Sequence, residues 1–293
     1  MSGVDKARMR AAFSRRAPDY EGGAALQREV AHRLAAVLRE ADPEAAPPGA
    51  RVLDVGCGTG AMLLALGAGG GGAPGLAAAA GAAAGRGAAE EGPGAGAAIA
   101  AGVDLAHGML RVAARALPAA RLAGGDAEAL PFRDAAFDLV ASASAFQWLP
   151  DLAPALAEAR RVLRPGGTLA LALFCGETLR ELRAAWRDAL PAGATPSTHR
   201  FHAPAAVREA LLRAGLAPLR FEAERRVVRH ASVLELLESL RGIGAGNAVA
   251  GRGGGLGLRR AVREATRLYE ERHGDGGGVP ATWDVAYAVA RRA

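Results

Sequence analysis

The sequence predicts an α/β fold, one domain built on a mostly parallel sheet with helices on both faces. Three observations carry this expectation. Short apolar runs of strand length alternate with stretches of helical periodicity over residues 51–175, the pattern of a parallel sheet with right-handed crossovers. A glycine-rich turn, Asp54-Val55-Gly56-Cys57-Gly58-Thr59-Gly60, joins the first such run to the first such helix. Near the end, Trp283, Val285, Tyr287 and Val289 alternate with small or polar residues, which is the period of a strand.

Taken in order, residues 24–40 read as an amphipathic helix, with Leu26, Val30, Leu34, Val37 and Leu38 at helical spacing. Pro47-Pro48-Gly49 ends it. Arg51–Val55 is a buried strand, followed by the glycine turn and a helix from near Thr59. Ile99–Val103 is a second strand ending in Asp104, Leu105–Leu117 a helix, Arg121–Ala123 a third strand and Phe137–Ala141 a fourth. A helix over Leu152–Leu163 is closed by a turn at Arg164-Pro165-Gly166-Gly167, and Thr168–Phe174 is the fifth strand. Beyond residue 176, helices are expected over 178–189, 204–214, 232–241 and 256–271, with strand character at Leu219–Val228.

Residues 67–98 are almost wholly Gly and Ala. Such a stretch cannot bury enough apolar surface to offset its ordering entropy, so it reads as a flexible insertion. Gly251–Gly257 reads as a mobile loop. The chain then divides into an amino-terminal lid and helix (1–48), a ligand-binding core (49–175) and further helices and strands of the same domain (176–293).

With 293 residues the chain can bury a substantial core, but aromatics are only 4%, so Leu, Val and Ala must fill it. Lys+Arg 36 against Asp+Glu 30 gives +6, nearly all of the positive charge being Arg. This suits nucleic acid, a membrane surface, an acidic protein partner or a plain solvated surface. No basic cluster interleaved with aromatics argues for nucleic acid, and no uncharged stretch is apolar enough for a membrane span. Cys57 and Cys175 fit neither a metal-ligand spacing nor a disulfide scaffold. With no apolar leader behind MSGVDKARMR, a cytoplasmic monomer without metal is expected.

The turn carries the chemistry. Glycines permit backbone angles closed to other residues and let a ligand approach the main chain. The spacing at Gly56, Gly58 and Gly60 is G-x-G-x-G, not the G-x-G-x-x-G of dinucleotide folds. Asp54 stands two positions before the first glycine. Its carboxylate would repel a diphosphate but could receive an ammonium, which favours S-adenosylmethionine. Asp104 ends the second strand, where an acid can accept from ribose hydroxyls or cap a helix. Asp126, in Gly125-Asp126-Ala127, could accept an adenine amino group or serve a turn. Ser142-Ala143-Ser144-Ala145-Phe146-Gln147-Trp148 lies past the fourth strand, where Phe146 and Trp148 could line the cavity or be core.

The 54–60 loop, Asp104, Gly125-Asp126, Phe137-Asp138 and Arg164-Pro165-Gly166-Gly167 together resemble the class I S-adenosylmethionine-dependent methyltransferase family over residues 50–175. The resemblance implies a Rossmann-like seven-stranded sheet with an antiparallel last strand at 282–290. It implies cofactor contacts from Asp54, Gly56, Cys57, Gly58 and Gly60, from Asp104, Leu105 and Met109, and from Asp126, Ala127, Ser142 and Phe146. The flanks narrow it. Phe13-Ser14-Arg15-Arg16-Ala17 with Tyr20, Leu26-Gln27-Arg28-Glu29-Val30, Phe146-Gln147-Trp148 and Glu177-Thr178-Leu179-Arg180-Glu181-Leu182 are similar to the branch that methylates malonyl-acyl-carrier protein in biotin synthesis. So are His199-Arg200-Phe201, Gly242-Ile243-Gly244-Ala245 with Asn247, and Pro280-Ala281-Thr282, although Gly246 and the 251–257 stretch depart from the pattern.

That resemblance implies methylation of the free carboxyl of a malonyl thioester on acyl-carrier protein, or on coenzyme A. A carboxylate is already ionised near neutral pH, so no catalytic base is needed and rate must come from alignment and desolvation. A clamp on that carboxylate is expected. The candidates are Tyr20, within a lid at 13–30, Arg180 and Arg183 three apart on one helix, and Arg200. Each Arg also reads as solvated surface, and Arg225, Arg226 and Arg229 could meet an acidic carrier or simply water. A trans-aconitate-type carboxylate methyltransferase, a protein-modifying or assembly-factor relative, a nicotinamide-dependent oxidoreductase and a catalytically silent cofactor-binding module remain open at this point.

Overall fold

A computed structural model of the chain describes residues 5–47, 49–67, 99–190, 199–243 and 256–293. Three helices come first: α1 (Lys6–Arg16), α2 (Tyr20–Gly23) and α3 (Ala25–Ala41). The core follows as β1 (Arg51–Val55), α4 (Ala61–Gly67), β2 (Ile99–Asp104), α5 (His107–Ala116), β3 (Arg121–Gly124), β4 (Phe137–Ala143), α6 (Ala153–Val162) and β5 (Leu163–Cys175). The remainder is α7 (Arg180–Ala189), α8 (Pro204–Arg213), β6 (Leu216–His230), α9 (Val233–Gly242), α10 (Leu256–His273) and β7 (Val279–Arg292). Residues 68–98, the body of the expected insertion, lie outside the described residues, as do Gly244, Ala245, Gly246, Asn247 and 251–255.

The sheet has seven strands in the order β3-β2-β1-β4-β5-β7-β6. Pairs from β3 through β5 are parallel, and β7 runs antiparallel to both neighbours. This is the class I methyltransferase topology expected from the sequence. The last strand is inserted between β5 and β6, not added at an edge. That position explains its composition. Val285, Tyr287 and Val289 join the core on one face, while Ala286, Ala288 and Ala290 join the core on the other. The alanines that read as small spacers are therefore buried too, and a two-sided strand has no polar face.

Helices cover both faces. On one, α3 brings Val30, Leu34, Val37 and Leu38 against Val52, Leu139 and Ala170. On the other, α6 and α8 bring Leu156, Val162, Val207 and Leu211 against Leu53, Val140, Leu169 and Leu171. The β5 sequence alternates between these cores residue by residue, which is why Thr168–Cys175 is an unbroken buried run.

Contrary to the expected turn, Arg164–Gly167 does not lie between helix and strand. Leu163 already pairs with Phe137, and the next partners are Leu139 and Thr168. The four residues are a bulge within β5, with Gly166 at φ +73°. Asp138 holds this bulge through Arg164 at 2.7 Å and also receives the Arg51 backbone N–H at 2.7 Å.

Candidate active site

The cavity opens at the carboxyl ends of β1, β2, β3 and β4 and is roofed by α1, α2 and α3. It begins with the glycine turn. The amides of Gly56 and Cys57 donate to the Val103 carbonyl at 2.8 and 3.0 Å, which hooks the turn onto β2. Gly56 has φ +71°, and a Cβ there would sit 2.3 Å from the Cβ of Ala145. Only glycine fits both demands. Gly58, at φ +53°, donates its N–H to Asp104 Oδ2 at 2.9 Å.

Asp54 is the unusual group. It is 1% exposed, lines the cavity, and neither carboxylate oxygen has a hydrogen-bond partner among the described residues. Burial, and then the nearby Asp104 charge, push its carboxyl up to about 8. A buried carboxyl without partners is costly, and a cation entering the cavity would relieve it.

Asp104 lines the same cavity. Its second oxygen accepts from the Ala106 amide at 2.7 Å. It thus caps the approach to α5 and braces the glycine loop at once. Burial raises its carboxyl, and the two backbone amides pull it part of the way back. Cys57 also lines the cavity, its thiol raised well above the usual range by burial and then by the Asp54 and Asp104 charges. It stays a neutral thiol.

Leu105, Met109 and Phe146 supply apolar wall, with Gly125, Asp126 and Ala127 at the β3 end. Asp126 accepts from Lys6 Nζ at 2.6 Å, and Glu128 shares the same ammonium. These contacts draw its carboxyl below the usual range against the opposing effect of burial. Lys6 belongs to α1, whose Ser14 packs on Gly108. A Cβ at Gly108 would meet the Ser14 carbonyl oxygen at 2.4 Å, so this glycine sets how closely the roof settles. Phe13 meets Trp148 edge-on at 5.8 Å between centroids.

Two cofactor candidates lie elsewhere. The Ser142 hydroxyl is fully buried and donates to the Val55 carbonyl at 2.7 Å, tying β4 to β1 behind the cavity. Gly60, at φ +98°, packs closely on Leu117, just past α5; the Leu117 Cδ1 would lie 2.5 Å from an added Cβ. The serine that does reach the cavity is Ser144. It sits at φ +58°, and its buried Oγ has no partner among the described residues. Gln27 likewise lines the cavity with an unpartnered Oε1. Two serines at alternate positions of one sequence looked equivalent, and only the point where β4 leaves the sheet separates them.

Of the carboxylate-clamp candidates, Tyr20 lines the cavity, its phenol raised by burial first and then by Asp104 and Glu21. Arg180, Arg183 and Arg200 do not. Arg180 pairs with Glu181 at 3.2 Å, and Arg183 donates to the Gly176 and Thr178 carbonyls at 3.2 Å. Arg200 and Arg183 line a separate cleft, and Arg180 another. The basic residues that do border the cavity are Lys6, Arg10 and Arg28, the last held by Glu21 at 3.0 Å. Arg225 and Arg226 are taken by Asp284 at 2.7 Å and Glu224 at 2.6 Å, and Arg229 by Asp275 at 2.5 Å.

Among the described residues, no helix is long and apolar enough to cross a membrane, and no cluster of three or more His, Cys, Asp or Glu could hold a metal.

A family model described as a methyltransferase domain matches residues 79–171. The chain is 41% identical to the malonyl-acyl-carrier-protein O-methyltransferase of Geobacter sulfurreducens, across 99% of this chain and 100% of that one. It is 35% identical to the protein of the same name from Dechloromonas aromatica, across 98% and 95%. The solved structure of the YcgJ protein of Bacillus subtilis has a TM-score of 0.55 at 18% identity, over 89% of this chain and 98% of that one, a likeness of fold.

Proposed function

The chain belongs to the malonyl-acyl-carrier-protein O-methyltransferase family, and from that premise we propose that it esterifies the free carboxyl of a malonyl thioester. The methyl donor is S-adenosylmethionine. The ester would disguise the malonyl group so that fatty-acid enzymes can extend it toward the pimeloyl unit of biotin, in the cytoplasm. The observation that carries this reading is the unpartnered, buried Asp54 carboxyl facing the cavity beside a second acid, Asp104. A cationic amino-acid headgroup lets such a pair of acids ionise, whereas a diphosphate would oppose them.

When bound, S-adenosylmethionine supplies an electrophilic methyl on a sulfonium centre. The chain's own residues do the rest. Asp54 accepts the ammonium. Asp104, already anchored at each oxygen by one backbone amide, has lone pairs left for ribose hydroxyls. Asp126 has lone pairs left for the adenine amino group beside its ion pair with Lys6. Leu105, Met109 and Phe146 exclude water from the rings. At the acceptor end, the Tyr20 phenol stays protonated and the Ser144 hydroxyl is unengaged, so both can donate to a carboxylate. Gln27 can add its amide N–H. No residue must remove a proton, because the acceptor is ionised before it arrives. The charge of the two reactants cancels on transfer, so a closed, water-poor cavity favours the reaction, and the α1–α3 roof supplies it.

The test is mass spectrometry of malonyl-acyl-carrier protein incubated with S-adenosylmethionine and this protein. A gain of one methyl, removed by mild ester hydrolysis, is expected. Transfer to free dicarboxylic or tricarboxylic acids with none to the carrier-bound malonyl group would overturn the reading.

A further inference from the structure

A second cleft lies behind the wall of the methyl-transfer cavity, and its charge is opposite. It is lined by Arg183, Arg187 and Arg200 with His199, against one carboxylate, Glu177. Glu177 offsets little of this, since its Oε1 is 3.9 Å from Arg183 and its side chain is 56% exposed. Arg187 is 66% exposed and 3.5 Å from Asp188, a carboxylate that Arg272 already holds at 2.6 Å. Arg200 is exposed and has no ion-pair partner among the described residues.

The two chambers share a partition. Trp148 lines the cavity, and its ring lies 5.0 Å from that of His199, which lines the cleft. His199 Nε2 meets the Gln147 carbonyl at 2.6 Å, and His202 Nε2 meets the Leu149 carbonyl at 2.8 Å. A carbonyl only accepts, so His199 carries its proton on Nε2, and burial keeps the ring neutral by lowering its proton affinity. These two bonds staple the 199–202 segment to the 147–149 turn. The wall between the acid-lined chamber and the arginine-lined one is therefore held in place.

Resting on the methyltransferase reading above, we propose that the Arg183, Arg187 and Arg200 cleft binds the phosphate ester at the far end of the arm that carries the malonyl thioester. The malonyl carboxyl must reach the cavity, so the phosphate must lie away from it, at the end of a long pantetheine chain. Guanidinium groups match phosphate oxygens with paired hydrogen bonds. The same phosphate occurs on a carrier protein's arm and on coenzyme A, and the cleft recognises what they share. These arginines thus hold the distal end of the acceptor, not its reacting carboxyl.

The test compares kcat/KM for malonyl-pantetheine, malonyl-phosphopantetheine, malonyl-coenzyme A and malonyl-acyl-carrier protein. The wild-type protein should prefer the phosphorylated arm over the bare one by about tenfold or more, the worth of one or two charge-assisted hydrogen bonds. The Arg187→Ala/Arg200→Ala variant should lose that preference, and lose rate with both coenzyme A and carrier-protein substrates. Arg187→Ala alone, on an exposed side chain, should lose part of it, with S-adenosylmethionine affinity and melting temperature as the folding control. An undiminished preference in the double variant overturns the subsite. So does a loss confined to the carrier protein, which would mean protein–protein docking. Failure of the wild-type protein to esterify any malonyl thioester overturns the methyltransferase reading itself, a different result from either.

Discussion

The two ends of the cavity that the proposed function gives to cofactor and to acceptor are built in different ways. The cofactor end comes from the ends of parallel strands: Asp54 near the end of β1 with the 56–58 turn that follows it, Asp104 as the last residue of β2, and Asp126 just after β3. Each position is dictated by backbone geometry, and each lies in or next to its own strand in sequence. The acceptor end is assembled from α2, α3 and the 144–148 turn, with Tyr20, Gln27, Ser144 and Trp148 brought together across more than a hundred residues. The first end should therefore be brittle toward backbone change and the second tolerant in shape but sensitive in chemistry.

The sharpest way to break this comparison is Gly56→Val. The added side chain would meet Ala145 at a backbone angle closed to valine. Binding of S-adenosylmethionine, measured by calorimetry, should weaken by about 100-fold or more. Retained affinity would mean the turn can relax and that its geometry is not the constraint. A smaller and different effect is expected from Tyr20→Phe. Removing one donor that lines the cavity should lower kcat/KM for the malonyl substrate about tenfold while leaving cofactor affinity within about twofold. Equal loss in both would move Tyr20 to the cofactor end. The smallest effect is expected from Lys6→Ala. Its pair with Asp126 is 35% and 29% exposed, so it should change cofactor affinity by no more than about fivefold. That change should fade as salt is raised. A larger, salt-insensitive loss would make α1 a structural member of the site.

The same contrast explains what the sequence revealed. The sheet was legible because β1, β2, β4 and β5 are short apolar runs separated by helical periodicity, and the reversed β7 showed through its alternation of large residues with alanine. The 164–167 segment misled because a Pro-Gly-Gly string signals a turn whether the chain leaves the sheet or bulges within it. Within the cavity lining, Asp54, Gly56, Gly58 and Asp104 were legible because a tight turn limits which residues can occupy it. Ser142 and Ser144 were not distinguishable, since facing inward or outward depends on where β4 leaves the sheet. The charge of Arg180, Arg183 and Arg200 is carried by the sequence, whereas their separation from the cavity depends on packing, which it does not carry. Lys6 gave no signal at all, because its partners lie 120 and 122 residues away.

Central to the account is a buried carboxyl that waits for a cation. Below about pH 8 the cofactor-free protein keeps Asp54 protonated, whereas the unfolded chain ionises it near the ordinary value. Folding stability should therefore fall as pH rises through that window, and Asp54→Asn should melt no lower than the parent at neutral pH. Binding an ammonium reverses the balance, because the carboxyl must then ionise. The direct measurement is calorimetry of S-adenosylmethionine binding at about pH 6.5 in two buffers of different ionisation enthalpy, for the parent and for Asp54→Asn. The prediction is release of nearly one proton on binding by the parent, affinity that tightens up to about tenfold per unit as pH approaches 8, and neither effect in the weaker-binding variant. Binding of the parent without proton release, and with the same affinity as Asp54→Asn, would contradict it.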